Sequence, residues 1–404
     1  MRTLTYQLLA CDKKITLIII SASGEKVLLK TPLRITADQW NPIKQRPKNI
    51  YLKKMKKIDE TLNRLSIFVL TILKEGKKFC HQKLQRQINK LCREKTAQHH
   101  PDSLLHHVNV YITSREHLIC ISTLKRYRVF QKLLQRFEGH LGMNLMVNDI
   151  NAEFVRKFIS FGQLEQYSHS TIYRSVNFVR TVLNFLEKRG IRTFVYELEM
   201  PRLKLKRPCI TLSEKEIMQI KNVDIPKHLQ AARDWLVISC YTGQRISDFM
   251  NFQSSMLKSL ESRTCISFRQ LKTQKDILLP LHPTVSNILA RNEMEFPKKL
   301  QPYLYNSQIK EVLRITGFDD LVNASKRTGH RSSVGMVPKY DAASSHIGRR
   351  SFASNFYGKI PTALLMEATG HTSERVFMNY INQVDIQRIM SLGSYLNEAY
   401  LQRG

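Results

Sequence analysis

The stretch Ser344-Ser345-His346-Ile347-Gly348-Arg349-Arg350 decides how the fold and chemistry of the C-terminal half are interpreted. Either serine can cap a helix that begins here. His346 and Arg349 then lie three residues apart on one face of that helix. An imidazole beside a guanidinium at the positive end of a helix suits a phosphate oxygen and a proton that moves near it. A basic helix surface would account for the same residues, so this stretch alone leaves both interpretations open.

A second stretch places an arginine at the start of a helix. The apolar segment Asp234–Cys240 predicts a buried helix that ends at the turn around Gly243, and Arg245 opens the next helix. Backbone N–H groups at a helix N-terminus favour an anion, which makes Arg245 a candidate phosphate ligand. Taken by itself, an arginine in this position is ordinarily a surface or salt-bridge residue.

A third stretch predicts a hairpin with strands over Cys265–Leu271 and Ile277–Leu281. Lys272 lies at the edge of its turn, exposed and mobile. Lys275 lies in the same turn and is an equally plausible proton donor on chemistry alone. Plain solvation is the ordinary state of a lysine in a turn.

A fourth stretch carries a tyrosine. Gly370 ends one helix, and Thr372 or Ser373 caps the next. Tyr380 follows His371 by nine residues, near the end of that second helix. A tyrosine there is ordinarily a core residue with a hydrated hydroxyl. It becomes a nucleophile only where nearby cations stabilise its phenolate.

These four stretches belong to the last of three predicted domains. Hydrophobic periodicity predicts a mainly α fold with small β elements: an N-terminal sheet and helix, a helical bundle and a mixed α+β domain. The predicted strands and bundle helices span Ile15–Ser21, Lys26–Ile35, Thr123–Leu141, Asn148–Phe161 (capped by Asn148 or Asp149) and Ser168–Lys188. The three predicted domains span residues 1–95, 121–195 and 208–404. A polar linker at 96–120 and a basic linker at 196–207 separate them.

The charge of the chain points to a polyanionic partner. Its 404 residues include 64 Lys+Arg and 33 Asp+Glu, a formal net charge of +31 with a pI near 10.0. Such an excess most often serves nucleic-acid binding, although ribosomal and membrane-surface proteins share it. Hydrophobic residues make up 42%, which excludes wholesale disorder. No apolar run approaches the ~20 residues of a membrane helix. The N-terminus has no signal-peptide pattern, so a cytoplasmic protein is expected.

Neither a metal nor a nucleotide cofactor is expected. The seven cysteines are scattered without a C-x-x-C pair, against both a disulfide scaffold and a zinc site. The pairs His99-His100 and His106-His107 lack nearby cysteines or well-spaced carboxylates, so a polar linker is favoured over a metal site. The sequence contains neither a P-loop nor a cluster of acidic metal ligands.

Taken together, the four stretches resemble the tyrosine recombinases, the family of phage and conjugative-transposon integrases. The resemblance rests on motifs that correspond one by one to the family's Arg, Lys, His-x-x-Arg, His and Tyr positions: R-I-S-D at Arg245, K-T at Lys272, H-I-G-R-R at His346, G-H-T-S at Gly370 and N-Y at Tyr380. It covers almost the whole chain. Residues 121–195 are similar to the family's helical core-binding domain, and residues 1–95 to its arm-type DNA-binding domain.

The resemblance implies an active enzyme with six catalytic residues: Arg245, Lys272, His346, Arg349, His371 and Tyr380. The two arginines would bind the non-bridging oxygens of a phosphodiester, and His371 would add a donor. His346 would take or return the phenol proton, and Lys272 would protonate the departing 5′-oxygen. Tyr380 would become joined to the 3′-phosphate.

The implied function is a site-specific integrase of a mobile element that acts on double-stranded DNA through a Holliday junction. It would work as a DNA-dependent homotetramer, with accessory DNA-bending proteins as candidate partners. The tail 388–404 would pack on a neighbouring protomer or, as the alternative, on its own domain. A DNA invertase or resolvase, a type IB topoisomerase-like enzyme and a non-catalytic DNA-binding protein are the alternatives. The basic stretch 325–339 is interpreted as a mobile DNA-contacting loop. Further DNA-binding candidates are Lys26, Lys30, Lys53, Lys54, Lys56, Lys57, Lys125, Arg126, Arg174 and Arg350.

Overall fold

The computed structural model describes residues 3–8, 13–20, 26–74, 80–94, 99–200, 209–328 and 331–381. The chain divides into two compact units, residues 1–204 and residues 205–404. As predicted, the fold is mainly α-helical with small β-sheets. The tail 388–404 and residues 201–207 of the predicted basic linker lie outside the described residues.

The first unit begins with an antiparallel sheet and a long helix: β1 (Thr3–Leu8), β2 (Lys14–Ile20), β3 (Lys26–Arg34) and α1 (Lys53–Lys74). The strand order is β1-β2-β3, so β1 adds an edge strand to the two predicted strands. Ile15, Leu17 and Ile19 alternate along β2 and are buried, because every second side chain of a strand faces the same side. They share one apolar cluster with Leu62 and Leu65 of α1.

Two short strands and a second helix complete this part of the unit: β4 (Trp40–Asn41), β5 (Arg46–Pro47) and α2 (His81–Arg93). Helix α2 covers the free edge of β3. Gln85 accepts a hydrogen bond from the Lys30 N–H (3.0 Å) and donates one to the Lys30 carbonyl (2.7 Å). This pairing protects an edge that would otherwise be open to another strand.

Four further helices of the first unit bury one continuous apolar cluster, in agreement with the predicted bundle. They are α3 (Leu104–Arg115), α4 (Ile121–Leu141), α5 (Ala152–Leu164) and α6 (His169–Glu187). Helix α5 begins later than predicted, because Asn148 and Asp149 lie in a separate 3-10 turn. Asn151 caps the helix instead, and its Oδ1 accepts from the N–H groups of Glu153 and Phe154 (2.9 and 3.2 Å).

Helix α3 corrects the predicted polar linker at 96–120. Ser103 caps the helix by accepting a hydrogen bond from the His106 N–H (3.2 Å). Leu104, Leu105 and Val108 are buried in the apolar cluster of the bundle. The segment is therefore part of the core, and the neighbouring histidine pairs conceal its apolar stripe in the sequence.

The second unit combines nine helices with two β elements among its described residues. The helices are α7 (Glu214–Asn222), α8 (Lys227–Thr242), α9 (Ile246–Phe249), α10 (Pro283–Arg291), α11 (Pro302–Ile315), α12 (Lys339–Ala342), α13 (Ile347–Phe356), α14 (Thr362–Thr369) and α15 (Glu374–Phe377). Strands β6 (Leu257–Leu260), β7 (Arg263–Arg269) and β8 (Asp276–Pro280) form one sheet in that order, and β9 (Leu321–Thr328) pairs with β10 (Arg331–Pro338). The predicted hairpin at 265–281 is β7 with β8.

The ribbon of β9 and β10 corrects the predicted mobile loop at 325–339. The two strands pair antiparallel from Leu321 opposite Pro338 to Thr328 opposite Arg331. Ala324 and Val337 are buried, whereas Val334 and Met336 are exposed, so only part of the ribbon packs against the rest of the unit. Serines and a glycine suggested a loop, but an exposed ribbon tolerates both.

Helices α8 and α13 pack closely at Gly348. A Cβ atom at this position would lie 1.9 Å from Ser239 Oγ and 2.8 Å from the Ser239 carbonyl carbon. Both distances are far below van der Waals contact, so only glycine permits this approach. The approach brings the next residue, Arg349, into the core of the unit, where it is 0% exposed.

Gly348→Ala is therefore expected to lower the free energy of unfolding by about 1–3 kcal/mol, the usual range for overpacking. Denaturant unfolding of the purified protein measures the change. Gly335→Ala in β10 is the matched control, because nothing lies within 4 Å of its Cβ position. The control should change the free energy by less than about 0.5 kcal/mol. Wild-type stability of Gly348→Ala would contradict the close packing.

Candidate active site

Arg349 is at the centre of the candidate site. Its guanidinium is fully buried, and a buried charge must be paired or hydrogen-bonded. Nη1 donates to the Gly243 carbonyl (2.9 Å) and Nη2 to the Thr369 carbonyl (2.8 Å). These carbonyls lie at the C-terminal ends of α8 and α14, where the helix dipole concentrates partial negative charge. Two helix ends therefore hold one cation.

One N–H donor of the Arg349 side chain forms no hydrogen bond within the described residues. Its Nε atom is buried and has no partner among the residues that the structure describes. Burial and, to a smaller extent, the charge of Arg245 lower the pKa of Arg349 to about 10, although Tyr380 and Asp248 act in the opposite direction. The side chain stays charged at neutral pH and has an N–H group available for an anion.

His371 lies beside this guanidinium, with Nε2 3.0 Å from Arg349 Nη2. An arginine only donates, so Nε2 accepts and the imidazole proton is on Nδ1. Nδ1 then donates to Thr369 Oγ1 (2.8 Å), whose own proton goes to the Leu365 carbonyl (2.6 Å). Burial lowers the pKa of His371 to about 3, and the charges of Arg349, Arg245 and Lys275 also lower it. His371 is therefore neutral, and here it accepts from Arg349.

Tyr380 lies against both side chains. The Arg349 guanidinium carbon is 5.4 Å from the centroid of its ring, and the His371 ring centroid is 5.0 Å away. The Tyr380 carbonyl accepts from Cys209 Sγ (3.3 Å) and Ser354 Oγ (3.5 Å), which anchors its backbone. The half-buried phenol is thus held next to a full positive charge.

Arg245 approaches the same cluster from the start of α9, in agreement with the predicted position. Its Nη1 donates to Gln270 Oε1 (3.1 Å). Asp248, on the same short helix, accepts from the Leu271 N–H (3.0 Å) and so ties α9 to the β7–β8 turn. The charge of Arg245 contributes to the lowered pKa of both Arg349 and His371.

His346 occupies the N-cap position of α13, which corrects the predicted serine cap. Just before the helix, the Ser345 N–H donates to Asn306 Oδ1 of α11 (2.8 Å). Desolvation lowers the pKa of His346, and the charges of Arg350, Arg349, Arg245 and Lys272 lower it further. An imidazole of this kind is neutral near pH 7 and able to accept a proton.

The turn between β7 and β8 carries both lysine candidates. Lys272 is exposed, and its charge acts on His346. Lys275 is half-buried, and its charge acts on His371. Both lysines therefore remain candidates for the proton donor.

Three further residues contribute to the site although the sequence did not predict them: Gln270, Thr369 and Asp248. Each is buried and hydrogen-bonded to a predicted site residue or to its turn. A buried amide, hydroxyl or carboxylate has no sequence pattern of its own, because tertiary contacts decide its burial. The available signal is position: each stands within three residues of Arg245, Lys272 or His371.

The predicted DNA-binding residues lie on the surfaces of both units. In the first unit, exposed side chains lie on β3, α1, α4 and α6: Lys26, Lys30, Lys53, Lys54, Lys57, Lys125, Arg126 and Arg174. Lys56 differs from them, because it is half-buried and the neighbouring Lys132 lowers its pKa. Arg350 in the second unit is half-buried beside His346.

Among the residues that the structure describes, no helix combines the length and apolarity required to cross a membrane. Within the same residues, no group of three or more His, Cys, Asp or Glu side chains could hold a metal ion.

Comparison with known proteins yields two family matches. The model of the phage integrase family matches residues 211–386, and that of the phage integrase SAM-like domain matches residues 103–192. The tyrosine recombinase XerC of Rickettsia prowazekii (strain Madrid E) is 23% identical over 297 residues, which cover 67% of this chain and 87% of that protein.

Two solved structures share the fold. The Tn1549 transposon integrase (residues 82–397), in complex with circular intermediate DNA, aligns with a TM-score of 0.52 and 14% identity. That alignment covers 72% of this chain and 98% of the other. A lambda integrase dimer bound to a COC′ core site aligns with a TM-score of 0.50 and 16% identity, over 93% and 94% of the two chains.

The neutral His371 predicts a pH dependence of stability. The pKa of His371 falls from an ordinary value of 6.5 to about 3 on folding. Between these values the unfolded chain binds a proton that the folded chain does not, so stability falls as the pH falls below 6.5. Above that pH this residue contributes no pH dependence.

His371→Gln should therefore flatten the dependence of unfolding free energy on pH between about 6.5 and 4. Urea unfolding at a series of pH values measures the slope. His100→Gln is the control, since His100 is exposed and remote from the cluster in sequence. Identical slopes for His371→Gln and wild type would show that His371 is not a buried neutral histidine.

Proposed function

Since the chain belongs to the phage integrase family and is a tyrosine-type site-specific recombinase, we propose that Tyr380 is its nucleophile and that Arg349 activates the phosphate. The observation that carries the proposal is the contact of the buried Arg349 with both His371 and Tyr380. A phenol, a neutral imidazole and an unsatisfied guanidinium N–H side by side suit phosphoryl transfer to tyrosine.

The two arginines of the site are suited to the non-bridging oxygens of a phosphodiester. Guanidinium groups form forked, charge-assisted hydrogen bonds with phosphate. Arg349 Nε makes no hydrogen bond to the part of the chain that the structure describes, and Arg245 is half-buried at the start of α9. Once Arg349 Nη2 turns to a phosphate oxygen, the tautomer with the proton on Nε2 lets His371 donate to the same phosphate.

In the proposed cleavage step, side chains of the protein supply the nucleophile, the proton acceptor and the proton donor. The Tyr380 oxygen attacks phosphorus and forms a 3′-phosphotyrosyl ester as the bond to the 5′-oxygen breaks. His346 takes the phenol proton, because its lowered pKa leaves it neutral. Lys272 gives a proton to the departing 5′-oxygen, with Lys275 as the alternative donor. A 5′-hydroxyl from another strand reverses these steps, so the ester energy is kept for rejoining.

Double-stranded DNA is the partner that this chemistry requires. In the comparison structures, the Tn1549 integrase is in complex with circular intermediate DNA and the lambda integrase dimer is bound to a COC′ core site. The net charge of +31 suits a polyanion of this kind. We propose that the exposed lysines and arginines of β3, α1, α4 and α6 contact its backbone.

We further propose that the enzyme is the integrase of a mobile element, active in the cytoplasm as a DNA-dependent homotetramer that forms a Holliday junction. Residues 1–95 would bind arm-type sites, residues 121–195 together with α3 would bind the core site, and residues 208–404 would catalyse the reaction. The sheet β1–β3 with its basic helix α1 supports the arm assignment. Accessory DNA-bending proteins would assist assembly. An invertase or resolvase with the same chemistry is the second candidate.

Tyr380→Phe is expected to keep DNA binding and to abolish the covalent adduct, because only the attacking oxygen is lost. The assay uses a nicked duplex that carries a site mapped by footprinting the DNA around the protein's own gene, with denaturing gel electrophoresis to detect the adduct. Tyr303→Phe is the control, since Tyr303 is 78% exposed. Retained cleavage by Tyr380→Phe would move the nucleophile to Tyr395 or Tyr400, the tyrosines downstream.

Arg245→Ala should lower the single-turnover cleavage rate by about a hundredfold or more, as for other donors to a developing charge. DNA affinity should change much less, because most phosphate contacts lie elsewhere. Arg269→Ala is the matched control: Arg269 ends the neighbouring strand β7, is exposed and pairs with Asp276 (3.9 Å). Parallel losses of affinity and cleavage in Arg245→Ala would make Arg245 an ordinary DNA anchor.

A further inference from the structure

Gln270 is a fully buried glutamine that directly follows β7. Burying an amide is unfavourable unless its hydrogen bonds are made. Here all four are made. Oε1 accepts from Arg245 Nη1 (3.1 Å) and Thr273 Oγ1 (2.5 Å), while Nε2 donates to Gln244 Oε1 (2.9 Å) and the Thr369 carbonyl (3.1 Å).

These partners fix which way the amide points. Arg245 can only donate and the Thr369 carbonyl can only accept, so Oε1 must face the arginine. A flipped amide would place its NH₂ group against the guanidinium. Gly370 lies close against this amide, since a Cβ at that position would be only 2.4 Å from Gln270 Oε1.

The backbone of Gln270 is equally fixed. Its N–H donates to the Lys275 carbonyl (2.8 Å), and its carbonyl accepts from the Gln274 N–H (2.9 Å). These bonds close the turn that carries Lys272 and Lys275. The residue that presents an acceptor to Arg245 is therefore the one on which the lysine turn is built.

Gln270 also shares an anchor with Arg349. The Thr369 carbonyl accepts from both Gln270 Nε2 and Arg349 Nη2. Gln244, also fully buried, binds the Ala368 carbonyl (2.7 Å) next to it. The amide network thus sets the distance between the two arginines from a common point at the end of α14.

We infer that Gln270 is a positioning residue for the strand-cleavage reaction: its side-chain oxygen holds Arg245 in the orientation that meets the phosphate. The inference rests on the proposed function. Gln270 acts through Arg245, since its amide is already saturated by protein partners. Loss of the amide should leave the arginine charge in place but allow the guanidinium to move, and misplacement by about 1 Å can reduce a rate about a hundredfold.

The test is single-turnover cleavage of the nicked duplex by the full-length Gln270→Met protein, with DNA affinity measured in parallel. The expected result is a cleavage rate about 10- to 100-fold lower, with affinity within about twofold of wild type. Gln308→Met is the matched control, because Gln308 also binds a carbonyl, that of His228 (3.1 Å), away from the cluster. It should leave both quantities unchanged.

A double-mutant cycle separates positioning from general damage. In an Arg245→Ala background, Gln270→Met should change the residual cleavage rate by less than about threefold, because the group that it positions is gone. A merely structural role would give equal losses in both backgrounds and would overturn the inference. A cleavage rate unchanged by Gln270→Met in the protein that retains Arg245 would overturn the inference too.

A second variant covers the case in which Gln270→Met does not fold, as judged by thermal unfolding. Thr273→Val removes the other donor to Gln270 Oε1 from an exposed position. It should lower cleavage severalfold with Arg245 present and leave it unchanged in the Arg245→Ala protein; any other pattern contradicts the inference. A wild-type protein that forms no adduct on the footprinted site would instead overturn the proposed function, and the inference with it.

Discussion

The second unit depends on one buried cation, Arg349, held by the carbonyl groups at the C-terminal ends of two helices. A guanidinium without such partners would be too costly to bury. To reach the carbonyls of Gly243 and Thr369, α13 must lie directly on α8, and Gly348 is the residue that permits it. The same bonds bring the ends of α8 and α14 together, and those ends carry Arg245 and His371.

This arrangement collects positive charge at the candidate active site. Arg245, Arg349 and the lysine turn act on two neutral histidines, and Asp248 is the carboxylate that opposes them at Arg349. Like charges held close together disfavour each other. A phosphodiester would relieve that repulsion as it binds, so the free site is poised for an anion. Desolvation and the same positive field lower the pKa of His346, and its neutral state fits its proposed role as proton acceptor.

The sequence predicted the helical fold, the β7–β8 hairpin and the turns before Arg245 and after Gly370, since periodicity and glycine signal them locally. It missed α3, because His106 and His107 interrupt an apolar stripe that tertiary packing buries. It misassigned the cap of α13, because the chain makes a turn from Ser344 to Ile347 that places His346, and not a serine, before the helix. Gln270 and Thr369 could not be predicted, because their burial depends on contacts between remote segments. The catalytic and DNA-binding roles remain predictions.

The tyrosine packed on Arg349 and His371 is proposed to become joined to DNA. Mass spectrometry of the trapped adduct after nuclease and protease digestion identifies the modified residue and the end of DNA attached to it. The expected result is a single phosphotyrosyl linkage, at Tyr380, to a 3′-phosphate. A linkage at another tyrosine, or to a 5′-phosphate, would contradict it.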